Sequence, residues 1–172
     1  MKTRYIPIAL LGIGLCASKC ADDVAEKFPI SLPFSKSFTI KSATTTGSET
    51  VVLDLSTEKD YQDNKSKLSA IEIDEIRISS ATVLDTTIVC EYVLLEAKDQ
   101  GTTFAVTDTL RNVALQGLKD RILPSTAAKL NKLGSALKNA TTPVEVYYRY
   151  KFSKPATGTV LKSDFKLKLK LS

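Results

Sequence analysis

Hydrophobic and polar residues alternate with period two along much of this chain. The clearest example is residues 165–171, where Phe165, Leu167 and Leu169 alternate with lysines, and residues 144–152 follow the same pattern. A period of two is typical of a strand with one buried and one exposed face. Shorter or less regular runs cover residues 37–42, 49–55, 68–78, 86–97, 102–107 and 109–115. The pattern therefore predicts a mainly β protein.

Two interruptions of the alternation predict a turn and a bulge. Residues 98–101, Lys-Asp-Gln-Gly, have the composition of a hairpin turn between the strands that flank them. Within residues 68–78 the apolar positions change phase after Ile73. Such a slip predicts a β-bulge near Asp74 and Glu75.

Two segments lose period two and are predicted to be helical. Residues 56–65 form the shorter one, in which Thr57 and Asp60 have the spacing of a capping box. Residues 125–139 form the longer one, because leucines recur there at helical spacing and a proline follows at position 143. The leucine stripe predicts that the longer helix covers a sheet edge or an open end of the core.

Seven or eight strands around one helix near residues 125–139 predict a two-sheet antiparallel β-sandwich of immunoglobulin-like architecture. We expect a single such domain over residues 36–172. Residues 20–35 contain two prolines and show no sustained alternation, so they are predicted to be a tether. The lysines of residues 166–170 are expected to guard an edge strand against aggregation, and a patch for anions or lipid head groups is the alternative.

The amino-terminal residues have the composition of a secretory signal peptide. Lys2 and Arg4 precede an apolar run over residues 6–15, which is shorter than the ~20 residues that a membrane-spanning helix needs. Residues 1–19 are therefore predicted to be removed on export, with cleavage directly before Cys16 as an alternative.

Cys16 and Cys20 follow this run at the place where bacterial lipoproteins carry their acylated cysteine. The position just after the apolar run favours Cys16. The acidic sequence of residues 21–23 favours Cys20, since it resembles the export signal of surface lipoproteins in the Bacteroides group. Neither cysteine follows the small residue usual in that motif, so both stay candidates for lipidation, and cleavage between them without a lipid is the alternative.

A segment in the first half of the chain resembles one that recurs in uncharacterised bacterial lipoproteins. The matching residues are Leu53-Asp54-Leu55-Ser56, Asp60-Tyr61-Gln62-Asp63-Asn64-Lys65 and Ile71-Glu72-Ile73. By this resemblance the chain is similar to uncharacterised Bacteroidota-like exported lipoproteins with a β-sandwich domain. The resemblance implies export to the outer membrane or cell surface, or otherwise to the periplasm, and it implies no activity.

Charge and composition exclude several classes of function. The formal net charge of +5 falls by three when Lys2, Arg4 and Lys19 leave with the signal peptide. The small remaining charge offers no broad footprint for nucleic acid, so we expect no nucleic-acid partner. The chain has no histidine, which excludes Ser-His-Asp and Cys-His catalysis and the usual zinc sites.

Without histidine, acid or base catalysis would need a carboxylate whose pKa is shifted by burial. The candidates are Asp54, Asp60, Asp74 and Glu75, but they fall in turns, at a helix start or beside the predicted bulge. We predict that the chain is not an enzyme. A small secreted carboxylate-dependent hydrolase is the alternative.

No metal or other cofactor is predicted. Oxygen ligands gather at Asp54, Glu58, Asp60, Asp63 and Asn64, yet lysines interleave with them and the spacing fits no calcium loop. A capped helix with mixed surface charge accounts for these residues.

Three further positions bear on chemistry. Cys90 lies in an apolar strand-like run and is predicted to be a buried, inert thiol rather than a disulfide partner of Cys20. Thr86 and Thr109 each follow an aspartate in a pattern that resembles the O-glycosylation motif of exported Bacteroides-group proteins. Thr86 and Thr109 are therefore candidate glycosylation sites.

The leading prediction is a non-catalytic, lipid-anchored cell-envelope protein that serves as a binding or structural module. Its expected partners are the membrane, through the amino-terminal lipid, and an unidentified protein or glycan. A flat aromatic patch around Tyr147 would favour binding. A cleft with two carboxylates, one with a raised pKa, would favour the hydrolase.

Overall fold

The computed structural model describes residues 29–82 and 85–172. Their strands and helices are, in chain order, β1 (Ile30–Thr39), β2 (Thr46–Leu53), α1 (Lys59–Asn64), β3 (Leu68–Thr82), β4 (Val89–Asp99), β5 (Thr102–Ala105), β6 (Leu110–Ala114), β7 (Arg121–Ile122), α2 (Ala127–Asn139), β8 (Val144–Phe152) and β9 (Val160–Leu171).

The strands form two antiparallel sheets that face each other. The first sheet has the order β1-β9-β3-β7, and the second has the order β2-β8-β4-β5, with β6 also paired to β4. The prediction of a mainly β, two-sheet antiparallel sandwich with one intervening helix is confirmed. The immunoglobulin-like architecture stays a prediction.

The core lies between the inward faces of the two sheets. The inward residues of β8 and β9 are nearly inaccessible to solvent, at 0 or 1% exposure for Tyr148, Tyr150, Phe152, Phe165, Leu167 and Leu169. Aromatic contacts join the strands, since the rings of Phe38 and Tyr148 lie 4.3 Å apart between centroids. The alternation of the sequence therefore identifies the buried face of both strands correctly.

The hairpin turn and the bulge are where the sequence predicts them. Asp99 pairs with Thr102, which leaves Gln100 (φ 47°) and Gly101 (φ 85°) as a two-residue turn. Positive φ at both residues matches the twist of the flanking strands. In β3 the pairing with β9 slips between Ile73 and Glu75, which leaves Asp74 as the bulged residue.

Helix α2 covers the edge of β3, one of the two roles that its leucine stripe predicts. The helix begins at Ala127, two residues later than expected, and the Thr126 side chain caps it by accepting from the Lys129 N–H. The carbonyls of Ser69 and Ile71 face the helix: Lys138 donates to the first, and Gly134 packs directly on the second. The helix thus protects a stretch of β3 that β7 does not reach.

The predicted tether is wrong over residues 30–35, which pair with residues 164–169 as the first part of β1. The two prolines suggested an irregular segment, but an edge strand tolerates proline where its nitrogen faces solvent. The Ile40 N–H donates to the Thr159 carbonyl. Because backbone groups alternate in direction along a strand, the even-numbered residues of β1 bond to β9. The nitrogen of Pro33 therefore faces the open edge. The sandwich therefore begins at Ile30.

The predicted capping box is also wrong, although the short helix exists. Helix α1 begins at Lys59 with Glu58 at its N-cap, and no side chain caps it. Thr57 lies outside the helix, too early to reach its first N–H groups. Tyr61 is the buried residue that attaches this helix to the core.

Candidate functional site

The outward face of the first sheet is covered by paired charges. Lysines of β9 lie beside carboxylates, at Nζ–O distances of 2.7 Å for Lys162 and Asp164, 3.8 Å for Lys166 and Glu75, 2.9 Å for Lys168 and Asp74, and 2.5 Å for Lys170 and Glu72. We call this surface the ion-pair face. The predicted edge-guard role of these lysines is wrong, because β9 lies between β1 and β3. The alternative of an anion patch loses its basis, because each lysine is already beside a carboxylate.

The four carboxylates considered for catalysis do not form one cluster. Asp74 and Glu75 lie on the ion-pair face, whereas Asp54 and Asp60 lie in the segment that joins β2 to β3. Asp54 accepts a hydrogen bond of 2.8 Å from the Ser56 backbone N–H. The structure thus places these two pairs of acids in different parts of the molecule.

Two of these carboxylates have lowered pKa values. Hydrogen bonds from the Ser56 side chain and backbone lower the pKa of Asp54. A hydrogen bond from Arg77 lowers the pKa of Glu75, with the charges of Arg77 and Lys166 acting in the same direction. A lowered pKa keeps a carboxyl group ionised at neutral pH, so neither residue has a proton to give as a general acid.

Two small clefts flank the loop of residues 140–143, between α2 and β8. One has a volume of about 150 Å³ and is lined by Asp54, Tyr61 and Lys65 among others, and the second, of about 210 Å³, includes Lys98 and Asp99. Both are smaller than the ~300 Å³ at which pockets for small organic ligands begin. Each cleft has a single carboxylate in its lining, so neither has the paired acids of a glycosidase.

The outward face of the second sheet differs in composition from the ion-pair face. Side chains of β2, β4 and β8 alternate there between large apolar or aromatic groups and charges; they are Val52, Tyr92, Leu94, Glu96, Tyr147 and Arg149. We call this surface the tyrosine face. The tyrosines and Leu94 are half-buried, and Val52 is 45% exposed.

Tyr147 lies near the middle of the tyrosine face. It pairs with Thr50 of β2 on one side and with Glu96 of β4 on the other. Its hydroxyl donates to the Glu145 carboxylate at 2.5 Å, and this hydrogen bond is the main reason that the pKa of Tyr147 is raised. The ring is therefore held on a regular strand in its neutral form.

Two ion pairs flank Tyr147 on this face. Arg149 Nε lies 2.6 Å from Glu96, and Lys151 Nζ lies 2.6 Å from Glu91. The Glu96 oxygen in the first pair is buried. The face thus combines half-buried aromatic area with charges that are paired within the protein.

The remaining candidate positions lie apart from both faces. Cys90 is buried, and burial raises the pKa of its thiol to about 12, so its predicted inertness agrees with the structure. Thr86 is exposed in a turn before β4, next to Asp85, which accepts from the Thr87 N–H at 2.8 Å. Thr109 is half-buried just before β6. The lipidation candidates Cys16 and Cys20 lie outside the described residues.

The acidic residues of α1 form a mixed-charge helix surface. Lys59 and Asp63 form an ion pair of 2.8 Å, and the Asn64 side chain donates to the Asp60 carbonyl. Within residues 29–82 and 85–172 no group of three or more potential ligands is arranged to hold a metal ion. Over the same residues, none of the helices has the length and apolar composition to cross a membrane.

Comparison with known proteins gives structural neighbours alone. No family model and no curated protein matches the chain. The solved structures similar to it include turnip yellow mosaic virus, with a TM-score of 0.43 and 10% identity over 99% of this chain and 90% of that one. Desmodium yellow mottle tymovirus has a TM-score of 0.39 and 10% identity over 99% of this chain and 95% of that one. Likeness this distant carries no argument about activity or partner.

Proposed function

We propose that this protein is a non-catalytic, lipid-anchored module of the cell envelope that binds a protein or a glycan through the tyrosine face. The observation that carries the proposal is the difference between the two outer faces of the sandwich. On the ion-pair face the lysines of β9 have carboxylate partners within the protein. On the tyrosine face aromatic and apolar groups stand between the charges.

Tyrosine is well suited to recognition on a rigid sheet. Its ring offers a large contact area, its hydroxyl forms hydrogen bonds, and few rotatable bonds are immobilised on binding. Tyr147 is already oriented by its bond to Glu145. A partner that covers Tyr147, Leu94 and Val52 would remove apolar area from water without breaking an ion pair. On the first sheet the exposed large hydrophobic side chain, Ile122, lies on the edge strand β7, away from the lysines of β9.

The position of the anchor is compatible with this use. A lipid on Cys16 or Cys20 would precede β1, and the chain between Cys20 and Ile30 can extend over at most about 35 Å. Strand β1 belongs to the first sheet, whereas the tyrosine face is the outer surface of the second. The anchored segment therefore leads into the sheet that does not carry the binding face.

Anchoring is tested by metabolic labelling with a clickable fatty acid in a Gram-negative bacterial host. We expect label on the unsubstituted full chain and its loss when Cys16 and Cys20 are both replaced by serine. The single replacements identify which cysteine is acylated, and Cys90→Ser is the matched control that keeps the label. An unlabelled chain in the soluble periplasmic fraction would contradict the anchoring proposal.

The binding face is tested by site-specific photocrosslinking in cells with p-benzoylphenylalanine. Placed at position 147, the probe is expected to give discrete adducts on irradiation. The matched control is the same probe at Lys166, an exposed position on the ion-pair face of the opposite sheet. Adducts at 147 that are absent at 166 identify the partner by mass spectrometry or by glycan staining. Equal adducts at both positions, or none at either, would count against the tyrosine face.

A further inference from the structure

Strand β2 is one edge of the second sheet, and its backbone orientation can be read from the hydrogen bonds. Phe152 donates to the Thr45 carbonyl at 2.8 Å. Because the direction of backbone groups alternates along a strand, odd-numbered residues of β2 bond to β8 and even-numbered residues point away from it. The N–H and C=O groups of Ser48, Thr50 and Val52 thus face outward, and among the described residues none of them has a hydrogen-bond partner.

The beginning of this edge is closed by the loop before it. The Thr46 carbonyl accepts a hydrogen bond of 2.7 Å from the Thr44 hydroxyl. The open part of the edge is therefore the stretch from Ser48 to Val52.

The edges of the two sheets on this side of the sandwich differ in how they are protected. On β1, Pro33 removes an edge-facing N–H, and Lys36 places a charge on the inward face, over the Phe34 ring. Prolines and inward charges are common devices against strand addition. On β2 the outward side chains Ser48, Thr50 and Val52 are exposed and uncharged. Strand β2 has no proline, and its one inward charge, Glu49, is held by hydrogen bonds from the Lys41 N–H and the Tyr150 hydroxyl.

We propose that two copies of this protein pair through β2, antiparallel about a two-fold axis at Thr50. Thr50 then faces the partner's Thr50, and Ser48 faces the partner's Val52, with all three residues donating and accepting backbone hydrogen bonds. Cross-strand threonine pairs are favourable. An axis at Ser48 would require the closed Thr46 backbone, and an axis at Val52 would pair residues beyond the end of the strand.

The charge of Glu49 excludes a register with its axis at Glu49. An axis at Glu49 would place two inward carboxylates opposite each other, which is destabilising. With the axis at Thr50, Glu49 lies beside the partner's Val51. Its carboxylate keeps its present donors, the Lys41 N–H at 2.8 Å and the Tyr150 hydroxyl at 3.1 Å. An axis at Val51 would pair Ser48 with the partner's Asp54, beyond the end of the strand. The axis at Thr50 therefore makes the fullest use of the open edge.

Pairing would join the two second sheets into one continuous sheet. Tyr147 pairs with Thr50 within each copy, so the two tyrosines would lie on one row across the two-fold axis and the tyrosine faces would merge. The pairing does not depend on the proposed binding function, and its failure would leave that proposal standing.

Cysteine crosslinking tests the register. The full chain is used with Cys16→Ser and Cys20→Ser, so that the introduced cysteine is accompanied by the buried Cys90 alone. With a mild oxidant, Thr50→Cys is expected to form a disulfide-linked dimer. Ser48→Cys and Val52→Cys are expected to fail alone, since like positions would be about 13 Å apart along the strands, too far for a disulfide.

A mixture of the Ser48→Cys and Val52→Cys chains is expected to crosslink, because these positions are opposite in the proposed register. Sedimentation of the chain that carries Cys16→Ser and Cys20→Ser, with no cysteine in β2, should show a concentration-dependent dimer. Thr50→Pro should abolish this dimer, and a cooperative thermal melt of that variant should show that it is still folded. Equal crosslinking at all three positions would overturn the register. A monomer in sedimentation that gives no Thr50→Cys dimer would overturn the pairing itself and leave an extended peptide of another protein as the occupant to test.

Discussion

Replacing Leu169 with aspartate is expected to unfold the sandwich or leave it marginally stable. Leu169 is fully buried on β9, between Ile30 of β1 and Ile71 of β3. An aspartate there would place a carboxylate without a partner in the core and remove a large apolar side chain. Each effect costs several kcal/mol, against a total stability of about 5–15 kcal/mol for a domain. Urea unfolding followed by circular dichroism measures the loss.

Lys168→Asp is the matched control for this experiment. Lys168 is the neighbouring residue on the opposite face of β9, where it pairs with Asp74 at 2.9 Å. Its replacement loses a solvent-exposed ion pair and sets a carboxylate opposite Glu72, which together cost on the order of 1 kcal/mol. The urea midpoint should therefore fall far less than it does for Leu169→Asp. Similar shifts for the two variants would show that β9 does not separate a core from a solvent face.

Gly134→Ala is expected to be the second strongly destabilising change. Alanine usually stabilises a helix relative to glycine by about 1 kcal/mol. At this position, however, a Cβ atom would lie 2.1 Å from the Ile71 carbonyl oxygen. That oxygen belongs to the backbone of β3 and cannot rotate away, so α2 would have to move off the sheet edge. We expect a net loss of about 1–3 kcal/mol, the usual cost of overpacking.

The exposed neighbour Ser135 provides the control for the helix. Ser135→Ala improves helix propensity without a new contact, and we expect a small gain in melting temperature. Opposite signs at the two positions, measured by thermal unfolding, would establish the close approach of α2 to β3. A gain at both positions would show that the helix does not press on the strand.

The sequence predicts those parts of the fold in which burial follows local alternation. Residues 144–152 are predicted as a strand, and β8 spans Val144–Phe152. The phase slip after Ile73 and the turn at residues 98–101 are equally local signals, and both features are present. Strand β7, with two residues, is too short to show any period.

Features that depend on distant pairing are not visible in the sequence. The lysines of β9 suggest an edge, but β9 lies between two strands that come from the other end of the chain. The acids that pair with Lys166, Lys168 and Lys170 belong to β3, and the bulge at Asp74 determines which of them come within reach. Residues 30–35 lack a local strand signal because Pro33 is acceptable only at a solvent-facing position of an edge.

The candidate site is predictable in part for the same reason. Tyr147 is found from the sequence as the outward aromatic residue of a regular strand. Its neighbours Thr50 and Glu96 follow from the pairing of β8 with β2 and β4, which sequence alone does not specify. The unpaired backbone N–H and C=O groups of β2 can be identified only after the order of the strands in the sheet is known.

The position of β9 also has a consequence for how the chain matures. Strand β9, formed by residues 160–171, lies between β1 and β3. These two strands therefore cannot be joined into one sheet until residues 160–171 have been synthesised. Pairings of such long sequence separation close late and slowly. A chain that lacks residues 160–171 therefore leaves β1 without its partner strand and the core of the sandwich open on that side.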